Sequence, residues 1–388
     1  MMPRSPLFGR RIHISGSISA DAAIASAAEV NQAREFLAML VKELLGKGAT
    51  FVIPVDAEKT RQVDNLPICF DWLIWETIEK NMSRRPAGAL DPLAIAVQHH
   101  KNEEQIPPEF EMLWNNLRSS DRVKIENASH WNMASKRMEA QARWGEILIG
   151  IGGGEGVLFL ANLYHDAGKP VIPLNLKLCA QDTGALRLFN FGLTSTHTNR
   201  LFQTNPPTDA HGWINRINFV RKDNSQRVSD AIGLLESLQS PKAFAVRLLD
   251  SKHEDFADVQ NYFDTVVQPV VEGELGFKLV VIDGKQALEF NRIDQEIFAK
   301  LHRSSVVIAD ITGQRPNCFL ELGYAFGRGL PTMLLGKEGV KHPFDISSVS
   351  GHHWKTTGSV DDRRREFRDH WAAIRSRPPL VPMEPLIP

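Results

Sequence analysis

Short apolar runs alternate with longer amphipathic segments along most of the chain, and this alternation limits the fold more than any other feature. Runs such as "EILIGIG" (146–152) and "SVVIADIT" (305–312) are almost wholly apolar, while the segments between such runs repeat apolar residues at helical spacing. Strands that alternate with helices form parallel sheets covered by helices on both faces. We therefore predict an α/β protein built from two Rossmann-like parallel-sheet domains.

The alternating pattern runs twice along the chain. A chain of 388 residues fits two or three domains. The first block closes with a helix at 227–239, "SPK" (240–242) is a plausible junction, and a new strand starts at 243. We predict one domain over 1–239, a second over 243–377 and a Pro-rich tail over 378–388. Within the first domain, the polar stretch 180–225 is predicted to be a long loop region.

Composition excludes several classes of protein. The formal net charge is -1, so no basic field favours direct binding of nucleic acid. The three cysteines lie far apart and show no spacing typical of zinc ligands. No apolar run reaches the roughly 20 residues that span a bilayer. We expect a cytoplasmic protein with reduced thiols, no membrane contact, no metal and no cofactor.

A glycine-rich stretch, "GIGGGEGV" (150–157), lies between a predicted strand and a predicted helix. Free backbone N–H groups at a helix N-terminus attract anions, and glycine lets the main chain approach a phosphate closely. The stretch lacks the Gly-Lys-Ser/Thr of a P-loop, and Glu155 stands where GxGxxG needs its third glycine. The alternative is a tight turn that packs a helix on the sheet.

This stretch, with "ISGSI" (14–18) at the end of the first strand, resembles the SLOG superfamily, the nucleotide-binding domains related to LOG and DprA proteins. The resemblance covers about 8–238 and implies a nucleotide pocket lined on one side by Ser15, Gly16 and Ser17, and on the other by Gly152, Gly153, Gly154 and Gly156. Enzymes of the LOG branch follow the glycines with a threonine and paired glutamates. Here Val157, Leu158 and Phe159 follow. The resemblance therefore implies a sensor of nucleotides rather than a phosphoribohydrolase.

One acid, Glu321, sits inside a predicted helix among apolar neighbours. Asn317 lies four residues before it, on the same helix face, and Asp310 ends the preceding strand. Ligands of open α/β sheets bind beyond the carboxyl ends of the strands, so these three residues should converge there. A carboxylate in such a crevice can stabilise an oxocarbenium-like centre or attack it. The alternative is an ion pair of Glu321 with Arg315 or Arg328.

The stretch "ADITGQRPNCFLELGYAFGRGLPTMLL" (309–335) resembles the nucleoside 2-deoxyribosyltransferase-like and TIR-like family, whose fold is flavodoxin-like. The match covers 243 to about 354 and includes "HPFDIS" after the last strand. It implies that Glu321 is the catalytic acid at the N-glycosidic carbon. It also implies contacts to the substrate from Asp310, Thr312, Asn317, Arg292 and Asp294. The first strand departs from the family pattern, because "AFAVRLLDSKHEDF" (243–256) replaces the Met-Pro-Phe that follows it in many relatives.

SLOG domains joined to TIR-like domains resemble effectors of bacterial anti-phage defence. The resemblance implies that a nucleotide signal binds the first domain and switches on cleavage of NAD⁺, with release of nicotinamide, in a homo-oligomer. The alternative enzyme is a nucleoside 2-deoxyribosyltransferase or a nucleotide N-glycosidase. The alternative without catalysis is a regulatory protein that binds nucleotides. The sequence leaves open the activating ligand and the choice between hydrolysis and transfer.

Overall fold

The computed structural model of the protein divides into two compact units, the first ending at Gln239 and the second starting at Ser240. It describes residues 5–88, 91–98, 102–119, 122–128, 134–283, 292–341, 343, 346, 349–375, 377 and 380. Of the predicted tail 378–388 only residue 380 is described, and of the stretch "HPFDIS" (342–347) only residues 343 and 346. None of the described helices is long and apolar enough to cross a membrane.

The first unit holds a six-stranded sheet in the order β4-β3-β2-β1-β5-β6, with every neighbouring pair parallel. Its strands are β1 (Arg11–Ser17), β2 (Thr50–Val55), β3 (Ala94–Gln98), β4 (Val123–Asn127), β5 (Ile147–Gly152) and β6 (Val171–Leu174). Its helices are α1 (Ala27–Gly46), α2 (Asp71–Asn81), α3 (Glu111–Arg118), α4 (Ala134–Trp144), α5 (Glu155–Asp166), α6 (Gly184–Thr194), α7 (Asn199–Phe202), α8 (Ala210–Arg216) and α9 (Asn224–Glu236).

Helix α1 shows how local sequence sets these elements. Ser26 caps it and exchanges hydrogen bonds with Glu29, which forms a capping box. Its apolar residues recur at helical spacing and are fully buried against the sheet, as at Phe36, Leu40 and Leu44. Burial of this stripe stabilises the helix more than its own propensity does.

The prediction of a long loop over 180–225 was wrong, because α6, α7 and α8 lie there. Helix α6 buries Ala185, Leu186 and Phe189 in the core of the first unit. The Asn, Thr and Pro residues of this stretch lie mostly in the short connections between helices. Because they favour turns, the apolar residues at helical spacing between them were not recognised as helices. Tertiary packing thus decided the structure where local composition favoured a loop.

The second unit holds a five-stranded parallel sheet in the order β11-β10-β9-β7-β8. Its strands are β7 (Lys242–Val246), β8 (Lys278–Val280), β9 (Val306–Asp310), β10 (Thr332–Lys337) and β11 (Gly351–Trp354). Its helices are α10 (Phe256–Tyr262), α11 (Ile293–His302), α12 (Pro316–Gly327) and α13 (Val360–Arg375). Helix α10 continues into π-helical turns at Phe263–Val267 and Pro269–Glu274, where the missing N–H of Pro269 interrupts the α-helical ladder.

Strand order in the second unit equals 2-1-3-4-5 within that unit, which is the flavodoxin-like order. One apolar cluster lies on the face covered by α10 and α13, and another on the face covered by α11 and α12. Strand β9 is buried along its whole length, as a central parallel strand covered on both faces should be. The predicted fold class, two Rossmann-like parallel sheets with alternating helices, is confirmed.

Candidate functional site

The crevice of the second unit lies where its strand order reverses, between the carboxyl ends of β7 and β9. Strand β9 ends at Asp310, and α12 starts six residues later at Pro316. The segments after the two strands touch, because Arg315 pairs with Asp250 at 3.6 Å. The fold therefore brings the end of β9 and the start of α12 to the position where α/β proteins bind ligands.

Asp310 lies beneath this crevice rather than open to it. Its side chain is fully buried, and its two oxygens accept hydrogen bonds from the backbone N–H of Thr312 (2.8 Å) and from Nε1 of Trp354 (2.6 Å). Burial raises the pKa of Asp310, while these hydrogen bonds oppose the rise. In this structure Asp310 fixes the turn after β9, and its contact with a ribose stays a prediction.

Thr312 is also fully buried, and it links two strands. Its hydroxyl oxygen accepts a hydrogen bond of 2.9 Å from the backbone N–H of Lys337, the last residue of β10. Thr312 and Asp310 thus hold the floor of the crevice in place. A direct contact of Thr312 with a substrate stays a prediction as well.

Glu321 lies one turn into α12, beside the buried stripe of that helix. Cys318, Leu322 and Ala325 face the core, while Glu321 is half-buried. Among the described residues, no hydrogen bond or ion pair engages its carboxylate. Burial alone raises the pKa of Glu321 to about 7.

The two arginines that could neutralise Glu321 have other partners. Arg315 pairs with Asp250, and Arg328 lies 3.2 Å from Nε2 of His302. An ordinary helix glutamate would be fully solvated or paired, whereas Glu321 is half-buried and has no ion pair among the described residues. A carboxyl group that is partly desolvated, close to a crevice and without an ion pair among the described residues is the type of group that catalytic sites use.

The remaining predicted substrate residues occupy the surface. Asn317 is exposed one turn before Glu321, on the same helix. Arg292 and Asp294, at the start of α11, pair with each other, and their side chains are 74% and 53% exposed. Their described side-chain contacts do not include Glu321 or Asp310, so the structure does not join them to the crevice.

An aromatic pair lies under the crevice, and its stacking was not predicted from the sequence. The ring of Trp354 stacks on Tyr262 with centroids 4.5 Å apart and an interplanar angle of 9°. Trp354 belongs to β11, a strand that the sequence did not predict. Its indole N–H is the donor that holds Asp310. The signal was a tryptophan after two histidines, a pattern too short to predict a strand.

The crevice of the first unit lies at its own switch point, between the carboxyl ends of β1 and β5. The register pairs Ser15 with Gly150, Gly16 with Ile151 and Ser17 with Gly152. The backbone N–H of Gly153 also donates to the carbonyl oxygen of Ser17 at 2.7 Å. The fold thus brings together the two glycine-bearing stretches that the sequence predicts to form one pocket.

The predicted pocket glycines differ in what surrounds them. A Cβ on Gly16 would lie 1.7 Å from the carbonyl oxygen of Ile151, and one on Gly153, where φ is +75°, would lie 2.5 Å from Val157. Gly156 faces the Cε of Met138 at 3.1 Å. By contrast, Gly154 is exposed, and a Cβ there would meet no atom of the described residues within 4 Å. Packing therefore requires Gly16 and Gly153, while Gly154 leaves open space at the start of α5.

A cluster of charged side chains on the β2 side of this crevice, Asp56, Asp71 and Arg137, was not predicted. Asp71, the first residue of α2, has its pKa raised to about 7 by burial, with Arg137 opposing the rise and Asp56 and Glu58 adding to it. Arg137 of α4 forms an ion pair with Asp56, which follows β2. Among the described residues, no group of three or more His, Cys, Asp and Glu side chains could hold a metal ion.

A family model described as "ATP nucleosidase Cap17-like, N-terminal" matches residues 7–237, more than half of the chain. The chain belongs to this family. The match covers the β1/β5 crevice and stops before the second unit, so the TIR-like character of the second unit stays a prediction. No curated protein matches the chain.

Proposed function

We propose that the chain is a nucleotide N-glycosidase whose chemistry is carried by Glu321 and whose activity is controlled by a nucleotide bound at the β1/β5 crevice. The observation that carries the proposal is the carboxyl group of Glu321, half-buried, without an ion pair among the described residues, and beside the β7/β9 crevice. The family description, which names an ATP nucleosidase, supports a nucleotide as the substrate.

The reaction breaks the bond between C1′ of the ribose and a nitrogen of the base. The base leaves with the bonding electrons, and positive charge develops on C1′ and the ring oxygen. Adenine takes up a proton at the freed nitrogen, whereas nicotinamide leaves NAD⁺ as a neutral molecule without one. The ionised carboxylate of Glu321 stabilises this charge or bonds to C1′ transiently. Water then supplies the hydroxyl group of the sugar product and gives up a proton, so that atoms and charge balance.

Glu321 can supply this stabilisation because no cation among the described residues forms an ion pair with it. A carboxylate that is already paired with arginine gives less to a developing cation. The partly dry site strengthens the interaction relative to water. A pKa of about 7 also means that the ionised form is present at neutral pH and that the protonated form is available to a leaving base.

ATP is the first substrate to test, because the family description names it. NAD⁺ is the second, because the stretch 309–335 resembles TIR-like proteins. Both contain an adenosine joined to phosphates, but cleavage of ATP releases adenine, whereas cleavage of NAD⁺ at the other ribose releases nicotinamide. Identification of the released base thus separates the two candidates.

A role in anti-phage defence follows from the resemblance to two-domain effectors. An enzyme that destroys ATP or NAD⁺ would kill its own cell unless a signal controlled it. We therefore propose a cytoplasmic homo-oligomer in which a nucleotide signal at Gly154 favours the active state. Such control requires that the ligand bind the active state more tightly than the inactive one.

The test is release of base by the full chain from ATP, NAD⁺ and adenosine, followed by chromatography. Each reaction is run alone and with a panel of cyclic and ADP-ribose-type nucleotides. Release of adenine or nicotinamide that a nucleotide of the panel stimulates supports the proposal. No release from any substrate, with every nucleotide tried, would contradict it.

A further inference from the structure

Arg247 lies where the sequence departs from the deoxyribosyltransferase pattern, directly after the last residue of β7. Strand β7 pairs with β9, so Arg247 lies at the same edge of the sheet as Asp310. The segment that follows Arg247 packs against the turn after β9, because a Cβ on Gly313 would lie 3.1 Å from His253 and 3.4 Å from Leu248. Arg247 therefore belongs to the β7/β9 crevice.

The guanidinium group of Arg247 is held but incompletely hydrogen bonded. Its Nη2 donates to Oε1 of Gln260 at 2.9 Å, and its carbon lies 5.0 Å from the centre of the Phe263 ring. Its Nε and Nη1 are buried and have no acceptor among the described residues. Buried donors are normally satisfied, so these two atoms call for an acceptor that the described residues do not supply.

Arg247 is not the counter-ion of a particular carboxylate. Asp264, Asp310 and Asp283 are the acids close enough to oppose the fall in its pKa that burial causes. None of the three forms an ion pair with it within 4 Å among the described residues. Asp264 instead accepts two hydrogen bonds from Gln260, at 2.8 and 2.9 Å, and Asp310 is held by Trp354. An arginine needed only for neutralisation would pair directly, since that contact is the stronger one.

We propose that Arg247 binds a phosphate group of the substrate and so makes the β7/β9 crevice selective for nucleotides over nucleosides. This inference rests on the proposed N-glycosidase function and assigns a residue to substrate choice. The planar guanidinium presents its donors in a fixed fork that suits phosphate oxygens, and Gln260 and Phe263 orient that fork. Glu321 acts at C1′, and Arg247 takes the phosphate of the same molecule.

The test replaces Arg247 with methionine, which keeps much of the length and removes the donors. We expect the KM for ATP to rise about 10- to 100-fold, the cost of a lost hydrogen bond to a charged group, with kcat within a few-fold. Inhibition by inorganic tripolyphosphate should weaken in parallel. The matched control is Arg328→Met, at the exposed C-terminus of α12, which should leave both constants unchanged.

An unchanged KM, an unchanged inhibition constant for tripolyphosphate, or a loss of kcat at constant KM would overturn the assignment. If the wild type releases base from no nucleotide, the proposed function fails. Calorimetry of phosphate binding then tests separately whether Arg247 binds phosphate. Tripolyphosphate is then titrated into full chains that carry Gly154→Asp, which weakens phosphate binding at the first crevice. Binding that Arg247→Met abolishes supports the proposal, whereas equal binding, or none, in both chains contradicts it.

Discussion

Two substitutions of Gly154 separate the effect of a negative charge in the first crevice from the effect of side-chain size. Gly154 precedes α5 as its N-cap, and in the part of the chain that the structure describes no atom lies within 4 Å of a Cβ placed there. Asp and Asn have nearly the same size and are both favoured N-caps, so Gly154→Asp and Gly154→Asn should be equally stable within about 0.5 kcal/mol. The two variants then differ only in one negative charge at the start of the helix.

The magnitude follows from Coulomb's law. A carboxylate about 5 Å from a bound phosphate raises its free energy by about 1 kcal/mol per charge in water and about 3 kcal/mol at the effective dielectric constant of a protein surface. The Asp variant should therefore bind an activating nucleotide about 5- to 150-fold more weakly than the Asn variant. Calorimetry and thermal shift with cyclic and ADP-ribose-type nucleotides measure this ratio. Equal affinity, or tighter binding by Asp, would refute a phosphate site at Gly154.

Three further predictions follow from the same structure. Base release should fall about tenfold per pH unit below pH 7, because the raised pKa of Glu321 leaves mostly the protonated form there; an acid limb near pH 4.5 in the kcat profile would contradict this. His13 is fully buried, and burial lowers its pKa to about 3. Below about pH 6.5 the histidine is therefore protonated in the unfolded chain but not in the folded chain. The free energy of unfolding should fall by about 1.4 kcal/mol for each pH unit below pH 6.5. His13→Phe should remove about 2 kcal/mol of the loss between pH 6.5 and 5 in denaturant titrations, and an unchanged slope would be evidence against a neutral buried histidine. Gly16→Ala should cost about 3 kcal/mol or more, since its Cβ would lie 1.7 Å from a carbonyl oxygen, and a melting temperature equal to the wild type would contradict that packing.

The sequence predicted the fold because apolar runs and helical spacing agree along most of the chain. Strands β5 and β9 are buried runs with few polar residues, and the helices after them carry clear apolar stripes. At these elements the local secondary-structure preference of the sequence agrees with the overall fold, so they could be predicted from the sequence. Helix α6 and strand β11 escaped notice because neighbouring turn-forming residues obscured short apolar patterns that only tertiary packing resolves.

The candidate sites were partly predictable for a related reason. The carboxyl ends of neighbouring parallel strands meet, so Ser17 and Gly152 could be expected together once two strands were recognised. The burial of the individual site side chains could not be predicted from the sequence in the same way. Asp310 proves to be enclosed and Asn317 exposed, since both depend on how loops fold over the sheet edge. Two donors of Arg247 lack an acceptor among the described residues, and their surroundings are formed by side chains far apart in sequence.

The most direct test of the central claim is the rate of base release by Glu321→Gln. The substitution keeps the shape of the side chain and removes its charge, so the rate should fall about 100-fold or more at pH 7 to 8 while the melting temperature stays within a few degrees. Glu338→Gln, at an exposed position after β10 where Glu338 pairs only with Lys355 among the described residues, is the matched control and should retain full activity. A Glu321→Gln protein as fast as the wild type would exclude this carboxylate as the catalytic group.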